Sequence, residues 1–124
     1  MNIPSDRKYI SSHEWMQEKD GRVIVGLTDF AQDALGDIVF VNLPEVGDTV
    51  TAEESFGDVE SVKAVSEMIS PVTGTVVAVN DALGMEPESI NKAPYETWLI
   101  VVENVTATAE LLDADAYKTV CENE

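Results

Sequence analysis

The chain has 124 residues, 24 acidic side chains against seven basic ones, a formal net charge of −17 and 44% hydrophobic residues, which fits one globular domain over residues 1–124 with a modest core. So acidic a chain is a poor match for nucleic acid or an anionic membrane surface, since both need clustered Lys and Arg. The single Cys121 leaves no internal disulfide, and with no spanning apolar run and no leader-like start the expected compartment is the cytoplasm.

Arg22 to Leu27 is β-rich, although Ile24 interrupts strict alternation. Thr28 to Gly36 reads as a short helix: Thr28 is a suitable N-cap, Asp29 suits the first turn, and Gly36 suits the positive-φ residue after the last turn. Phe30, Ala31, Ala34 and Leu35 give this helix one apolar stripe. Ile38 to Leu43 is a strand, ended by Pro44 and a turn at Gly47-Asp48. Short strands follow at Thr49–Ala52, Phe56–Val62, Ala64–Ile69, Gly74–Val79 and Trp98–Val102, divided by turn signals such as Ser70-Pro71 and Asn80-Asp81. Leu111, Leu112, Ala116, Tyr117, Val120 and Cys121 fit a helical tail, with Asp113 as its N-cap and limits of about 107–122. The pattern by itself means a mostly β chain with small helices, of sandwich or barrel type.

Lys63 stands out against this background. It lies midway between two strand runs, at a hairpin tip, in Glu60-Ser61-Val62-Lys63-Ala64-Val65-Ser66-Glu67. Val62 and Ala64 favour or tolerate extended backbone, and Ser61 and Ser66 leave the lysine open to a large partner. An ordinary surface lysine is solvated; small flanking residues are also what a lysine needs if an enzyme must find and acylate it, and the two readings are separated only by the sequence further out. No nucleophile–base set, Gly-rich phosphate loop or metal-ligand cluster accompanies it. Asp29, Asp33 and Asp37 recur at helical spacing but read as a solvated face, so no metal is expected.

Glu60 to Ala64, with Gly57 upstream and Ser70 to Val76 downstream, closely resembles the lipoylation segment of the glycine cleavage system H protein family. Lys8-Tyr9 with Ser12-His13-Glu14-Trp15 resembles the family's opening motif. Gly26 to Gln32, Leu35 to Val41, Leu43 to Gly47, Val79-Asn80, Asn91, Pro94-Tyr95 and Trp98 follow in order, so the likeness covers about residues 7 to 121. It implies a flattened barrel-sandwich of two small antiparallel sheets, like lipoyl and biotinyl carrier domains, with a short internal helix and C-terminal helices. It implies lipoic acid in amide linkage to Lys63, within the recognition motif Glu60, Ser61, Val62 and Ala64.

The same resemblance implies a carrier that does no catalysis of its own. It would take an aminomethyl group from pyridoxal-phosphate-dependent glycine decarboxylase to the tetrahydrofolate-dependent aminomethyltransferase. It would then present dihydrolipoyl to dihydrolipoamide dehydrogenase, after lipoylating enzymes had loaded Lys63. Residues matching Ser12, Glu14 and Glu67 would hold the cationic aminomethyl group in a cleft. A carboxylate about 4 Å from a cation gains roughly 4 kcal/mol at an effective dielectric near 20, before desolvation. Position 67 is usually Asp in the family, so Glu67 has one more methylene of reach. His13 is expected to be a structural hydrogen-bonding residue and Trp15 a packing one. The family's glycines between Tyr95 and Trp98 are replaced by Glu96 and Thr97, and the strand entry there is expected to shift.

The strong charge of one sign favours a monomer that forms transient complexes. Other readings of Lys63 are a relay that donates lipoyl groups to 2-oxoacid dehydrogenase subunits, and a biotin carrier. Biotin carriers centre on Met-Lys-Met, whereas Val62 and Ala64 flank the lysine here. An unmodified acidic interaction module is the remaining alternative.

Overall fold

A computed structural model describes residues 1–124. The chain runs β1 (Lys8–Tyr9), β2 (Glu14–Lys19), β3 (Arg22–Leu27), α1 (Asp29–Leu35), β4 (Ile38–Asn42), β5 (Thr49–Val50), β6 (Ser55–Ser61), β7 (Val65–Ile69) and β8 (Val72–Val79). A 3-10 turn at Asp81–Gly84, α2 (Ser89–Lys92), β9 (Ile100–Thr108) and α3 (Ala114–Glu122) complete it. The strands form a six-stranded sheet, order β1-β2-β3-β9-β8-β5, and a three-stranded sheet, order β4-β6-β7, with every pairing antiparallel. Neither sheet closes on itself, so the architecture is the flattened two-sheet sandwich that the family resemblance implies.

The main core lies between the sheets. Val23, Val25 and Leu27 of β3, Val41 of β4, Val59 of β6, Met68 of β7 and Val72 and Val76 of β8 are all buried in it. The period-2 alternation of these strands sends every second side chain inward, and each such aliphatic residue contributes about 1.5–3 kcal/mol on burial. A second cluster of Tyr9, Trp15, Tyr95 and Tyr117 sits on the other face of the larger sheet. Ile24 packs against that cluster while Val23 and Val25 face the core. Ile24 breaks the alternation because both faces of β3 are covered.

Two strands not expected from the sequence, β1 and β2, open the larger sheet. β2 reads Glu-Trp-Met-Gln-Glu-Lys, too polar to show a strand pattern. It forms because Trp15 and Met16 are buried and because it pairs along β3 from Glu14↔Leu27 to Lys19↔Arg22. The indole of Trp15 lies flat on Gly26, where an added Cβ would fall 2.3 Å from Cζ2. Only glycine leaves that room.

The expected helix α1 forms as read, with the Thr28 side chain accepting a bond from Ala31 N. Gly36 closes it at φ 77°, ψ −158°, a conformation open in practice to glycine. The tail differs from its expected limits. Residues 107 and 108 still belong to β9, Leu112 bridges to Tyr9, and one helix, α3, starts at Ala114 behind an Asp113 cap. β9 begins at Ile100 rather than Trp98. The glycine-free entry is made by a tight turn in which Glu96 N and Thr97 N both donate to Ala93 O, and neither residue needs positive φ.

Candidate functional site

The hairpin of β6 and β7 carries Lys63 at its tip. Ser61 organises the turn: its Oγ accepts from Lys63 N and Ala64 N, each at 3.1 Å, and its backbone N donates to Ala64 O at 2.8 Å. Val62 N donates to Asp37 O at 3.0 Å, which ties the turn to the residue after α1 and Gly36. Val62, Lys63 and Ala64 are all exposed. The Lys63 side chain folds back over Gly36, with Cε 3.2 Å from where a Cβ on that residue would stand. Asn91 braces the same corner from α2. Its Nδ2 donates to Gly36 O and to Gln32 Oε1, and its Oδ1 accepts from Ile38 N.

Next to this corner is a cleft of about 210 Å³ between α1 and the hairpin. Phe30, Ala31, Ala34 and Leu35 of α1 line one side, and Val59, Ser66 and Glu67 line the other. The apolar stripe of α1 thus faces a cleft, which is why no residue of this helix is fully buried. Ser12, His13 and Glu14 form the far end, joined by Glu124.

Glu14 is not a solvated loop carboxylate. It begins β2, is 2% exposed, and its two oxygens are engaged: Ser12 Oγ donates to Oε1, and Ile69 N donates to Oε2 at 3.1 Å. Burial pushes its pKa up to about 7, and the two hydrogen bonds oppose this without cancelling it. A carboxyl at the end of an apolar cleft that is half protonated near neutral pH is poised to ionise when a cation arrives. Glu67 stands exposed on edge strand β7, and Ser12 is exposed at the rim. The residues singled out in the sequence therefore fall into two groups: Glu60, Ser61, Val62, Lys63 and Ala64 at the hairpin, and Ser12, Glu14 and Glu67 around the cleft.

His13 holds the floor of the cleft in place. It has φ 79° and stacks on Phe30 at 4.4 Å between ring centroids. Its Nδ1 meets the Tyr117 hydroxyl at 2.7 Å, and that hydroxyl also meets Thr28 Oγ1 at 2.7 Å. Its Nε2 lies 2.7 Å from Glu124 Oε2 without hydrogen-bond alignment. Tyr117 stacks on Tyr9 at 4.6 Å, and burial raises the pKa of its phenol well above the ordinary tyrosine value. Trp15 is a packing residue whose Nε1 donates to Pro94 O. Sequence reasoning missed Gly36 as the lysine's neighbour, Ser66 and Glu124 as cleft residues, and the bracing role of Asn91. The family block containing Asn91 was the one available signal; the others come together only in three dimensions.

A lysine offered on a tight hairpin beside a cleft, in a two-sheet sandwich, is the layout shared by lipoyl and biotinyl carrier domains. The glycine cleavage H-protein family model matches residues 7–124, and the chain belongs to that family. It is 52% identical to the glycine cleavage system H protein of Halalkalibacterium halodurans over 99% of this chain and 98% of the relative. It is 56% identical to that of Listeria innocua over 95% of this chain and 97% of the relative. The crystal structure of a glycine cleavage system H protein from Mycobacterium marinum superposes with a TM-score of 0.90 at 48% identity, covering 94% of this chain and 97% of that one. The chemistry of the site fits a lipoyl group: the Lys63 methylenes pack over Gly36, next to the cleft residue Leu35, the α1 wall of the cleft is apolar, and the buried Glu14 carboxyl stands at its far end.

Proposed function

We propose that this chain is the lipoylated carrier of glycine cleavage, with the lipoyl group in amide linkage to Lys63. One observation carries the reading: a lysine on an exposed hairpin tip borders an apolar cleft that ends in a buried carboxyl group. When bound, the group supplies a redox-active disulfide that can carry an aminomethyl unit between enzymes. The partners are the lipoylating enzymes, glycine decarboxylase, aminomethyltransferase and dihydrolipoamide dehydrogenase, met in the cytoplasm one at a time. The chain itself serves as a carrier and not as a catalyst.

Its own residues do three things. Ser61 and Asp37 shape the turn that presents the lysine, and Glu60 marks it for recognition. Leu35, Phe30 and Val59 give an arm a dry surface to lie on, which limits the access of water to its loaded end. Glu14 receives the cationic amine. In the empty cleft its carboxyl is about half neutral near pH 7; a cation beside it favours the carboxylate, and its proton leaves to solvent. Ser12 holds the Glu14 carboxylate in place, and Glu67 adds a second, solvent-screened charge from the edge strand.

The direct test is intact-mass analysis of natively expressed protein with peptide mapping. A lipoyl mass gain on Lys63 is the expected result. A lipoyl group on Lys8, Lys19, Lys92 or Lys118, or none on any lysine, overturns the reading.

A further inference from the structure

Large apolar side chains are exposed in several places, but four of them gather around the lysine hairpin: Val39 at 54%, Phe40 at 50%, Val62 at 67% and Val65 at 66%. The register explains the gathering. Phe40 lies opposite Glu60, and Glu60 opposite Val65, so these three side chains form one row across the smaller sheet. Val41 and Val59, next along the same strands, point the other way into the core. The row therefore lies on the outward face. Val39, at the bulge between Ile38 and Phe40, and Val62, in the turn, continue it towards Lys63. Met1, Val46, Met85 and Val105, the remaining exposed large hydrophobics, stand on separate segments. Single exposed apolar residues are ordinary, but a group of them on one face marks a contact surface.

The charge around this face has one sign. Glu60 sits inside the row, and Asp58 is paired further along with Glu67, the edge-strand residue that also borders the cleft. Between Arg22 and Lys92 the chain has no basic residue other than Lys63.

We propose that this outward face is the docking surface of the enzyme that acylates Lys63, and that the partner meets it with an apolar patch ringed by Lys or Arg. The inference rests on the reading of Lys63 as the attachment site. The step itself selects the occupant. The lone pair of deprotonated Nζ attacks the acyl carbon of an activated donor held by the partner. The C–N bond forms as the bond to the leaving thiolate or phosphate breaks, and the proton lost from nitrogen goes to a base of the partner. The reacting atoms then stand one lysine side chain from the turn, so the partner must cover Val62 and Val65. Enzymes that act on the far end of the attached arm work a full arm's length away and have no such need. The acidic rim supplies steering toward a basic partner.

The experiment uses the full chain, lipoic acid, ATP and an ATP-dependent lipoylating enzyme, with the initial rate of lipoyl mass gain as readout. Phe40→Ser combined with Val65→Ser removes apolar surface from exposed positions, and a thermal melt checks the fold. The expected result is a fall in kcat/KM of at least tenfold, carried mainly by KM. Val46→Ser, an equally exposed apolar position elsewhere, should load at the wild-type rate. Once loaded by long incubation, the double variant should be reoxidised by dihydrolipoamide dehydrogenase at the wild-type rate. Unchanged loading of the folded double variant overturns the docking face while leaving Lys63 as the attachment site. An equal fall in the dehydrogenase rate overturns the choice of occupant. A wild-type dimer that the double variant dissociates assigns the face to a second copy of the chain and overturns the inference. A wild-type protein that gains no lipoyl mass overturns the Lys63 reading and this inference together.

Discussion

The two ends of the site are built in opposite ways. The tip of the Lys63 hairpin is exposed and local: its turn is shaped by Ser61, two residues away, and the bond from Val62 N to Asp37 O joins it to the chain just before β4, where the β4–β6 pairing begins. The Glu14 end is buried and assembled from distant segments. Ser12 and Ile69 bond the carboxyl, while His13, Thr28 and Tyr117 interlock beneath it. A group that other enzymes must reach belongs on a protrusion whose shape does not depend on the core. A group that must hold a cation away from water needs low dielectric, and only tertiary packing creates that. The contrast predicts that changes at the hairpin abolish loading with little effect on stability, and that changes at the buried end alter stability while loading continues.

The largest effect falls on the hairpin. Lys63→Arg should abolish lipoyl mass gain and glycine–bicarbonate exchange completely, while the melting transition stays within about 0.5 kcal/mol of wild type, as for an exposed substitution. A clear loss of stability in this variant would break the division between the two ends.

Tyr117→Ala should show the converse. It removes a fully buried ring that stacks on Tyr9 and the hydroxyl that links His13 to Thr28. The expected cost is about 3–5 kcal/mol by urea denaturation, the range for truncating a buried aromatic residue. Lipoylation of the surviving folded fraction should continue, because Tyr117 lies in the aromatic cluster on the far face of the larger sheet and the turn is shaped by Ser61.

Glu14 sharpens the comparison through pH. Its folded pKa of about 7 lies above its ordinary value of 4.5, so the folded state holds more protons than the unfolded chain between those limits. Its contribution to stability is fully present below the lower value and is lost as pH rises through the upper one. The difference amounts to roughly 3 kcal/mol between low and high pH. Glu14→Gln, which stays neutral, should lack this slope and gain on wild type above pH 7. Urea denaturation of both proteins from pH 4 to 8.5 measures it; parallel curves would show that Glu14 titrates normally.

The smaller effects concern the loaded arm. Glu14→Ala should leave lipoylation and reoxidation by dihydrolipoamide dehydrogenase nearly unchanged, but speed the loss of formaldehyde and ammonia from the aminomethyl form several-fold. Glu67→Ala should act in the same direction by less than twofold, since its charge is exposed and screened. Decay of the Glu14→Ala form at the wild-type rate would reduce Glu14 to a structural buried acid.

The sequence by itself determined the features whose causes are local. The α1 caps at Thr28 and Gly36, most of the strands from Arg22 to Val79 and the hairpin position of Lys63 all follow from residue pattern and turn chemistry. Resemblance added Ser12, Glu14 and Glu67 as one set. Tertiary structure decided the rest. β1 and β2 carry no alternating pattern and exist because Trp15, Met16 and Tyr9 find burial and β3 offers an edge. The tail stays extended to Thr108 because β9 keeps its pairing with β8, which delays α3 to Ala114. Glu14 looks like any loop acid in the chain, and it becomes a half-neutral buried carboxyl only when Ser12, Ile69 and cleft residues such as Leu27, Phe30 and Val59 close around it. Burial depends on which distant residues pack together, and no residue's immediate sequence neighbours record that.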